Sequence, residues 1–158
     1  MDRRTLLAGC GASVAAGMLF GGRAAGAQTT RFPVTRTPAQ WRQQLGPQRY
    51  RILREAGTER AYSSPLDKER RRGRYTCGGC ANPLFASTTK YDSGTGWPSF
   101  SRALPRAVVT RGKRSAFFGT EILCARCGGH LGHVFNDGPK PTGLRYCMNG
   151  LALRFQPA

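Results

Sequence analysis

The feature that most constrains this chain is a pair of pairs, Cys77-Gly78-Gly79-Cys80 and Cys124-Ala125-Arg126-Cys127. With two residues between cysteines, one tight turn can aim both sulfurs at a common point. Two such turns complete a tetrahedron of thiolates. Gly78, Gly79, Gly128 and Gly129 lie in or just after these turns and permit the backbone geometry. The spacing therefore predicts one structural zinc ion held by Cys77, Cys80, Cys124 and Cys127. Two other fates of such thiols stay open: a pair of disulfides in an oxidising compartment, or a thioredoxin-like redox pair. The second needs a CxxC between the strand and helix of a βαβ unit, and neither pair has that context.

Of the six cysteines, Cys10 lies near the N-terminus and Cys147 is left without a partner. Cys147 sits in Gly143-Leu144-Arg145-Tyr146-Cys147-Met148-Asn149, which reads as a short strand. Alternate strand residues share a face, so Tyr146 and Met148 point one way and Arg145, Cys147 and Asn149 the other. A guanidinium beside a thiol favours the nucleophilic thiolate. The same Cys could equally be a small apolar core residue. His130 and His133, the only two histidines, stand three residues apart just after the second CxxC pair. With four thiolates filling a tetrahedral site they are free for acid–base work near neutral pH. Trp97 follows Gly94-Thr95-Gly96 and reads as a ring held on a loop.

The remaining chain is punctuated. Thr37 and Pro38 open a helix with Trp41 and Leu45 on one face, and Gly46-Pro47 stops it. A second helix over 48–56 turns Tyr50, Leu53 and Ala56 inward, and Gly57 ends it. Residues 57–73 read as a polar, extended arm. Short apolar or alternating runs follow at Tyr75-Thr76, Leu84-Phe85, Trp97 to Phe100, Ala107 to Thr110, Ala116 to Leu123, Val134-Phe135 and Leu151 to Phe155, nearly all bounded by turn residues. The pattern is that of an antiparallel, mainly β domain, with the zinc clamp tying its hairpins where a small core is thin.

Residues 1–27 carry Asp2-Arg3-Arg4-Thr5-Leu6-Leu7, then a weakly apolar, glycine-interrupted run to Phe20 and the small residues Ala25-Gly26-Ala27. This resembles a twin-arginine signal with a cleavage site. A mature domain over 28–158, exported to the periplasm and without stable membrane association, is expected. Folded export suits a chain loaded with zinc beforehand. The formal charge is +17, which raises a nucleic-acid or anionic-surface reading. Aromatic residues do not interleave with the basic ones as on a single-strand binding platform, so nucleic acid is not the expected partner. A zinc-ribbon binding module for nucleic acid or protein remains the alternative.

Three segments together settle the resemblance: Gly94 to Phe100, Cys124 to Pro139 and Gly143 to Asn149. In this order they resemble the peptide-methionine (R)-S-oxide reductases, the methionine sulfoxide reductase B family, and the similarity runs from about Pro38 to Phe155. The resemblance implies two antiparallel β-sheets with short N-terminal helices and a four-cysteine zinc site away from the active site. It implies reduction of methionine R-sulfoxide in oxidised proteins, and free methionine sulfoxide as a further substrate, as repair under oxidative stress. Cys147 matches the nucleophile. His130 and His133 match residues that activate substrate and position water or protons. Asp137 and Asn149 match residues that orient the site, Arg145 one that stabilises the thiolate, and Trp97 an indole that packs the substrate methyl. Many members carry a resolving Cys where this chain has Thr95. The expectation is therefore a one-Cys cycle, in which a thioredoxin-like protein or small thiol regenerates the Cys147 sulfenic acid, and a monomeric enzyme.

Overall fold

The computed structural model describes residues 31–115 and 118–158. The expected signal segment lies outside the described residues.

The first element is a helix, α1 (Pro38–Glu55), built as the sequence predicts. Thr37 Oγ1 accepts a hydrogen bond from the Gln40 N–H at 3.2 Å, while Gln40 Oε1 accepts from the Thr37 N–H at 2.9 Å. This reciprocal box satisfies two N-terminal donors, and Pro38 occupies the first turn, where no N–H is needed. At Gly46 the backbone leaves the helix with φ 67°, and Pro47 restarts it, so α1 is two short helices joined at a kink. Trp41 and Leu45 are buried in the first half, and Tyr50, Ile52 and Leu53 in the second. Ala56, expected to face inward, is instead the exposed C-cap with φ 51°. The left-handed turn that ends the helix rotates its methyl out, and Ile52 supplies the inward contact.

Nine strands follow among the described residues: β1 (Gly73–Cys77), β2 (Pro83–Ala86), β3 (Lys90–Tyr91), β4 (Ser99–Phe100), β5 (Val108–Ser115), β6 (Gly119–Cys124), β7 (His130–Phe135), β8 (Arg145–Met148) and β9 (Leu153–Pro157). They form two antiparallel sheets, one in the order β2-β1-β9 and one in the order β3-β4-β8-β7-β6-β5. The two-sheet expectation is borne out. The sheets meet through aromatic rings. Phe85 of β2 stacks on Phe100 of β4 with centroids 4.3 Å apart. Tyr75 of β1 meets the same Phe100 edge-on at 4.9 Å, and Tyr146 of β8 leans on Phe85. Phe100 is fully buried at this junction, and its truncation to alanine is expected to cost about 3–5 kcal/mol.

Sequence order does not reveal that β8 lies between β4 and β7. That insertion brings the Cys147 strand beside both the Trp97 loop and the histidine strand. Register fixes the facing: His133 pairs with Cys147 and Phe135 with Arg145 across β7 and β8, while Ser99 pairs with Cys147 across β4 and β8. Gly132, opposite Met148, allows the close approach, because a Cβ there would overlap the carbonyl oxygen of Cys147.

Candidate active site and metal centre

The four clustered cysteines come from the ends of both sheets. Cys77 closes β1 and Cys124 closes β6, and each CxxC begins a tight turn, with Ala81 N donating to Cys77 O and Gly128 N to Cys124 O. The four sulfurs lie within 4.8 Å of one another. Cys77 and Cys127 are 3.7 Å apart and Cys80 and Cys124 3.5 Å. A zinc–sulfur bond of about 2.3 Å implies a tetrahedral edge of about 3.8 Å, which these separations match. A disulfide would need about 2.05 Å, and all four residues are free thiols. The donor set fits a structural zinc ion, since soft thiolates in a closed tetrahedron leave no open position. Helix α1 roofs the cluster. Leu53 and Trp41 pack over Gly79, Gln44 Nε2 donates to Gly79 O at 2.6 Å, and Arg54 Nη1 donates to Cys127 O at 2.9 Å. Such a centre, when filled, adds folding free energy and ties the two sheets at one corner.

The fifth described thiol stands apart. Cys147 is half-buried at the floor of a cavity of about 150 Å³ lined by Thr58, Trp97, Gly132, His133, Phe135, Met148 and Asn149. Trp97 is half-buried, and its Nε1–H donates to Glu59 O at 3.2 Å. This bond fixes the plane of the indole as one apolar wall. His133 and Cys147 are directly opposed across the ladder, which brings their Cβ atoms within about 5 Å. Thr95 Oγ1 lies 3.8 Å from Cys147 Sγ and belongs to a hydroxyl chain through Ser93 (2.8 Å) to Ser99 (2.7 Å further).

Electrostatics at the thiol depart from the expectation. Burial pushes the Cys147 thiol above its ordinary value, and the pull of Thr95, Arg145 and Ser99 in the other direction does not overcome it. Arg145 is less available than its position suggests. Its guanidinium forms a two-pronged pair with Asp137, Nε to Oδ1 at 2.8 Å and Nη2 to Oδ2 at 2.7 Å, and lies 4.2 Å above the Phe135 ring. Asp137 is mostly exposed and reaches the thiol only through Arg145.

The two histidines differ. His133 faces the cavity, and burial, then the neighbouring His130, depress its basicity. His130 is buried (3% exposed) behind it, with ring centroids 5.4 Å apart. Its Nδ1 lies 2.8 Å from Glu121 Oε1, and its Nε2 is buried without a partner among the described residues. Glu121 also takes both prongs of Arg111, at 2.6 and 2.7 Å. Burial pushes the Glu121 carboxyl up, but hydrogen bonds from Arg111 and His130 hold it below its ordinary range. An ionised carboxylate can only accept, so the Nδ1 of His130 carries the hydrogen.

Asn149 lines the cavity, yet its amide is engaged in the scaffold. Oδ1 accepts from the Glu59 N–H at 3.0 Å and Nδ2 donates to Leu131 O at 3.2 Å. Cys147, His133, Trp97 and Asn149 are thus brought together, and Arg145 adjoins them. His130 stands one layer back, and Asp137 stands outside. Glu121 and Glu59 escaped sequence reading. Glu121 lies nine residues before His130 on the neighbouring strand, and only the β6–β7 pairing brings the two together; Glu59 lies in a stretch read as a polar, extended arm.

The comparisons agree with this geometry. A SelR domain model matches residues 45–157. A peptide methionine sulfoxide reductase MsrB of Leptospira interrogans is 51% identical over 127 residues, covering 79% of this chain and 97% of that protein. One of Thiobacillus denitrificans is 54% identical over 125 residues, covering 77% and 94%, and one of Agrobacterium fabrum 51% over 126 residues, covering 78% and 93%. Identity of this depth over nearly the whole of each relative, with a SelR match enclosing both cysteine pairs, the histidines and Cys147, leaves one conclusion: the chain belongs to the SelR-domain family, together with these MsrB peptide methionine sulfoxide reductases.

Proposed function

We propose that this protein reduces methionine R-sulfoxide, within oxidised proteins and as the free amino acid, through the thiol of Cys147. A methionine sulfoxide reductase activity follows from family membership. The observation that carries the finer reading is the one thiol outside the cysteine cluster among the described residues, set in a small apolar cavity opposite the His133 imidazole and beside an indole.

The substrate's S-methyl lies against Trp97, where an aromatic face suits soft sulfur and its methyl. Cys147 Sγ attacks the sulfoxide sulfur. Because burial keeps the resting thiol protonated and keeps His133 unprotonated, His133 takes the thiol proton and hands it to the sulfoxide oxygen as the S–O bond weakens. The oxygen and that proton end on Cys147 as sulfenic acid, and methionine leaves. The substrate sulfur gains two electrons and Cys147 loses two, with no net proton exchanged. His130, held by Glu121, keeps the His133 ring in place, and Asn149, Arg145 and Asp137 orient the Cys147 strand. An external thiol, on a thioredoxin-like protein or a small molecule, then attacks the sulfenic sulfur and releases water. A second thiol frees Cys147 as a disulfide forms. Thr95 cannot serve as the internal resolving group.

The remaining parts of the reading rest on sequence: a cleaved twin-arginine signal over 1–27, a periplasmic domain over 28–158, a single structural zinc, a monomer, and a role in repair after oxidation. No helix among the described residues is long and apolar enough to cross a membrane.

The test supplies the R and S epimers of N-acetyl-methionine sulfoxide separately to residues 28–158 with dithiothreitol, alongside Cys147→Ser. Turnover of the R epimer alone, abolished in the variant, is expected. Turnover of neither epimer by zinc-loaded protein defeats the reading.

A further inference from the structure

A groove of about 850 Å³ lies beside the catalytic cavity. The two share a wall. Thr58 lines both, and the chain passes from Asn149 in the cavity to Gly150 and Leu151 in the groove. Glu59 clamps the junction, receiving the Gly150 N–H on Oε1 and the Leu151 N–H at 2.9 Å on Oε2. The cavity is large enough for a side chain, and the groove for several residues of polypeptide.

The groove is built for negative charge. Arg49, Arg51, Arg60 and Arg154 line it, and Glu59 is the single carboxylate among its lining residues. Both oxygens of Glu59 are already engaged, so it offers little to those cations. None of the four arginines forms an ion pair among the described residues, while Arg71, Arg111 and Arg145 elsewhere all do. Arg49 is the sharpest case: its Nη1 is buried with no hydrogen-bond acceptor, and burial and then the neighbouring Arg154 disfavour its charge more than Cys77 of the cluster favours it. A partly buried guanidinium next to a second one is an arrangement that a carboxylate stabilises through charge-assisted bonds. Between the charges, Ile52, Leu153 and Phe155 give an apolar floor.

Resting on the proposed reduction at Cys147, we infer that this groove receives an acidic segment of the substrate polypeptide flanking the methionine sulfoxide. A side chain seated in the cavity places its own backbone at the shared wall. The adjoining residues, each spanning about 3.5 Å when extended, then run along the groove, and Asp or Glu a few positions away meets the arginines. The enzyme therefore selects oxidised methionines in acidic surroundings over those in neutral or basic ones. A concave channel continuous with the cavity suits an extended, tethered chain better than the convex face of a folded reductant.

The test compares three peptides of equal length, each with one methionine R-sulfoxide flanked by Glu/Asp, Ser/Ala or Lys residues, with N-acetyl-methionine R-sulfoxide as a substrate too short to reach the groove. The same peptides, fluorescently labelled, are titrated against Cys147→Ser by anisotropy. Expected at low salt is a kcat/KM for the acidic peptide about five- to ten-fold above the neutral one, as two or three screened pairs would give, with the basic peptide lowest and the spread shrinking as salt rises. Arg51 and Arg154 are exposed, so the doubly substituted R51E/R154E chain is expected to fold, to reduce the short substrate at the wild-type rate, and to lose or reverse the acidic preference. R51Q/R154Q is expected to lose the preference without reversing it. Equal kcat/KM and equal affinity for acidic and neutral peptides, with the short substrate turned over normally, overturns the groove assignment. So does an effect of the arginine variants confined to the KM for a protein reductant, which would place the reductant there instead. Failure of the wild type to reduce the short substrate defeats the proposed reduction, and with it the groove as a substrate site, whatever the anisotropy shows.

Discussion

Among the described residues, two thiol regions are built on opposite principles. At the cysteine cluster four sulfurs converge under a helix on one point that a metal ion fits, with no open position left over. At the Cys147 cavity one sulfur stands by itself with a hydroxyl 3.8 Å away and space in front of it. The first region suits rigidity and the second the proposed reactivity, and the sheet connects them: β6 ends in Cys124 and carries Glu121, which holds His130 behind the cavity. Chemistry at a cysteine is thus decided less by the residue than by whether its neighbours complete its coordination or leave it open.

The comparison can be broken or sharpened in order of effect. Replacing Cys147 with Ser is expected to lower reductase activity by at least about a thousand-fold, since the nucleophile is lost, with the thermal midpoint unchanged within a few degrees; calorimetry and turnover together decide this. Cys124→Ser has the opposite signature. The variant is expected to lose its zinc, measured by elemental analysis against one ion per wild-type chain, and several kcal/mol of stability, which for a domain of this size is about 10 °C or more in Tm. A metal-free Cys124→Ser protein with wild-type Tm would show that the cluster is not a metal centre. Glu121→Leu leaves the buried Nδ1–H of His130 without its acceptor. Such an unpaired group is expected to cost about 1–3 kcal/mol of stability, read as a fall in Tm with kcat followed alongside, and Glu121→Gln, which keeps an acceptor, is expected to recover most of it. The smallest effect is a pH profile. Because burial raises the Cys147 thiol above its ordinary value near 9, its thiolate fraction grows through and beyond pH 9 rather than levelling off below it. Iodoacetamide alkylation at Cys147, followed by mass spectrometry, is expected to rise about ten-fold per pH unit up to that point, while the zinc-bound cysteines stay unmodified. A plateau below pH 8 would show that Arg145 and Thr95 outweigh burial.

Much of the fold could be read from punctuation. The Thr37 cap with Pro38, the break at Gly46-Pro47 and the alternation of Arg145 to Met148 are local signals, and local physics decides them. The cysteine cluster was legible because CxxC spacing is itself a local geometry repeated twice. What stayed hidden depends on which strands become neighbours. The insertion of β8 between β4 and β7 brings Ser99, His133 and Cys147 side by side from positions 99, 133 and 147, and no periodicity encodes that. The sign of the Cys147 shift was missed for a related reason. Sequence shows the adjacent Arg145 but neither the burial that opposes it nor the Asp137 carboxylate that occupies it. Ala56 failed at a smaller scale, because the helical period was carried one residue into the cap.

Glu59 has a consequence for motion. One residue of a polar loop donates its N–H to Asn149, accepts the Trp97 indole on its carbonyl, and takes the Gly150 and Leu151 amides on its carboxylate. Four bonds from four directions cannot be released singly without straining the others. The amide hydrogens of Glu59, Gly150 and Leu151 are therefore expected to exchange with solvent as one cooperative unit, whose opening free energy is that of unlatching the cavity wall. Breathing of the cavity and of the neighbouring groove is expected to register as one event with one rate in hydrogen exchange.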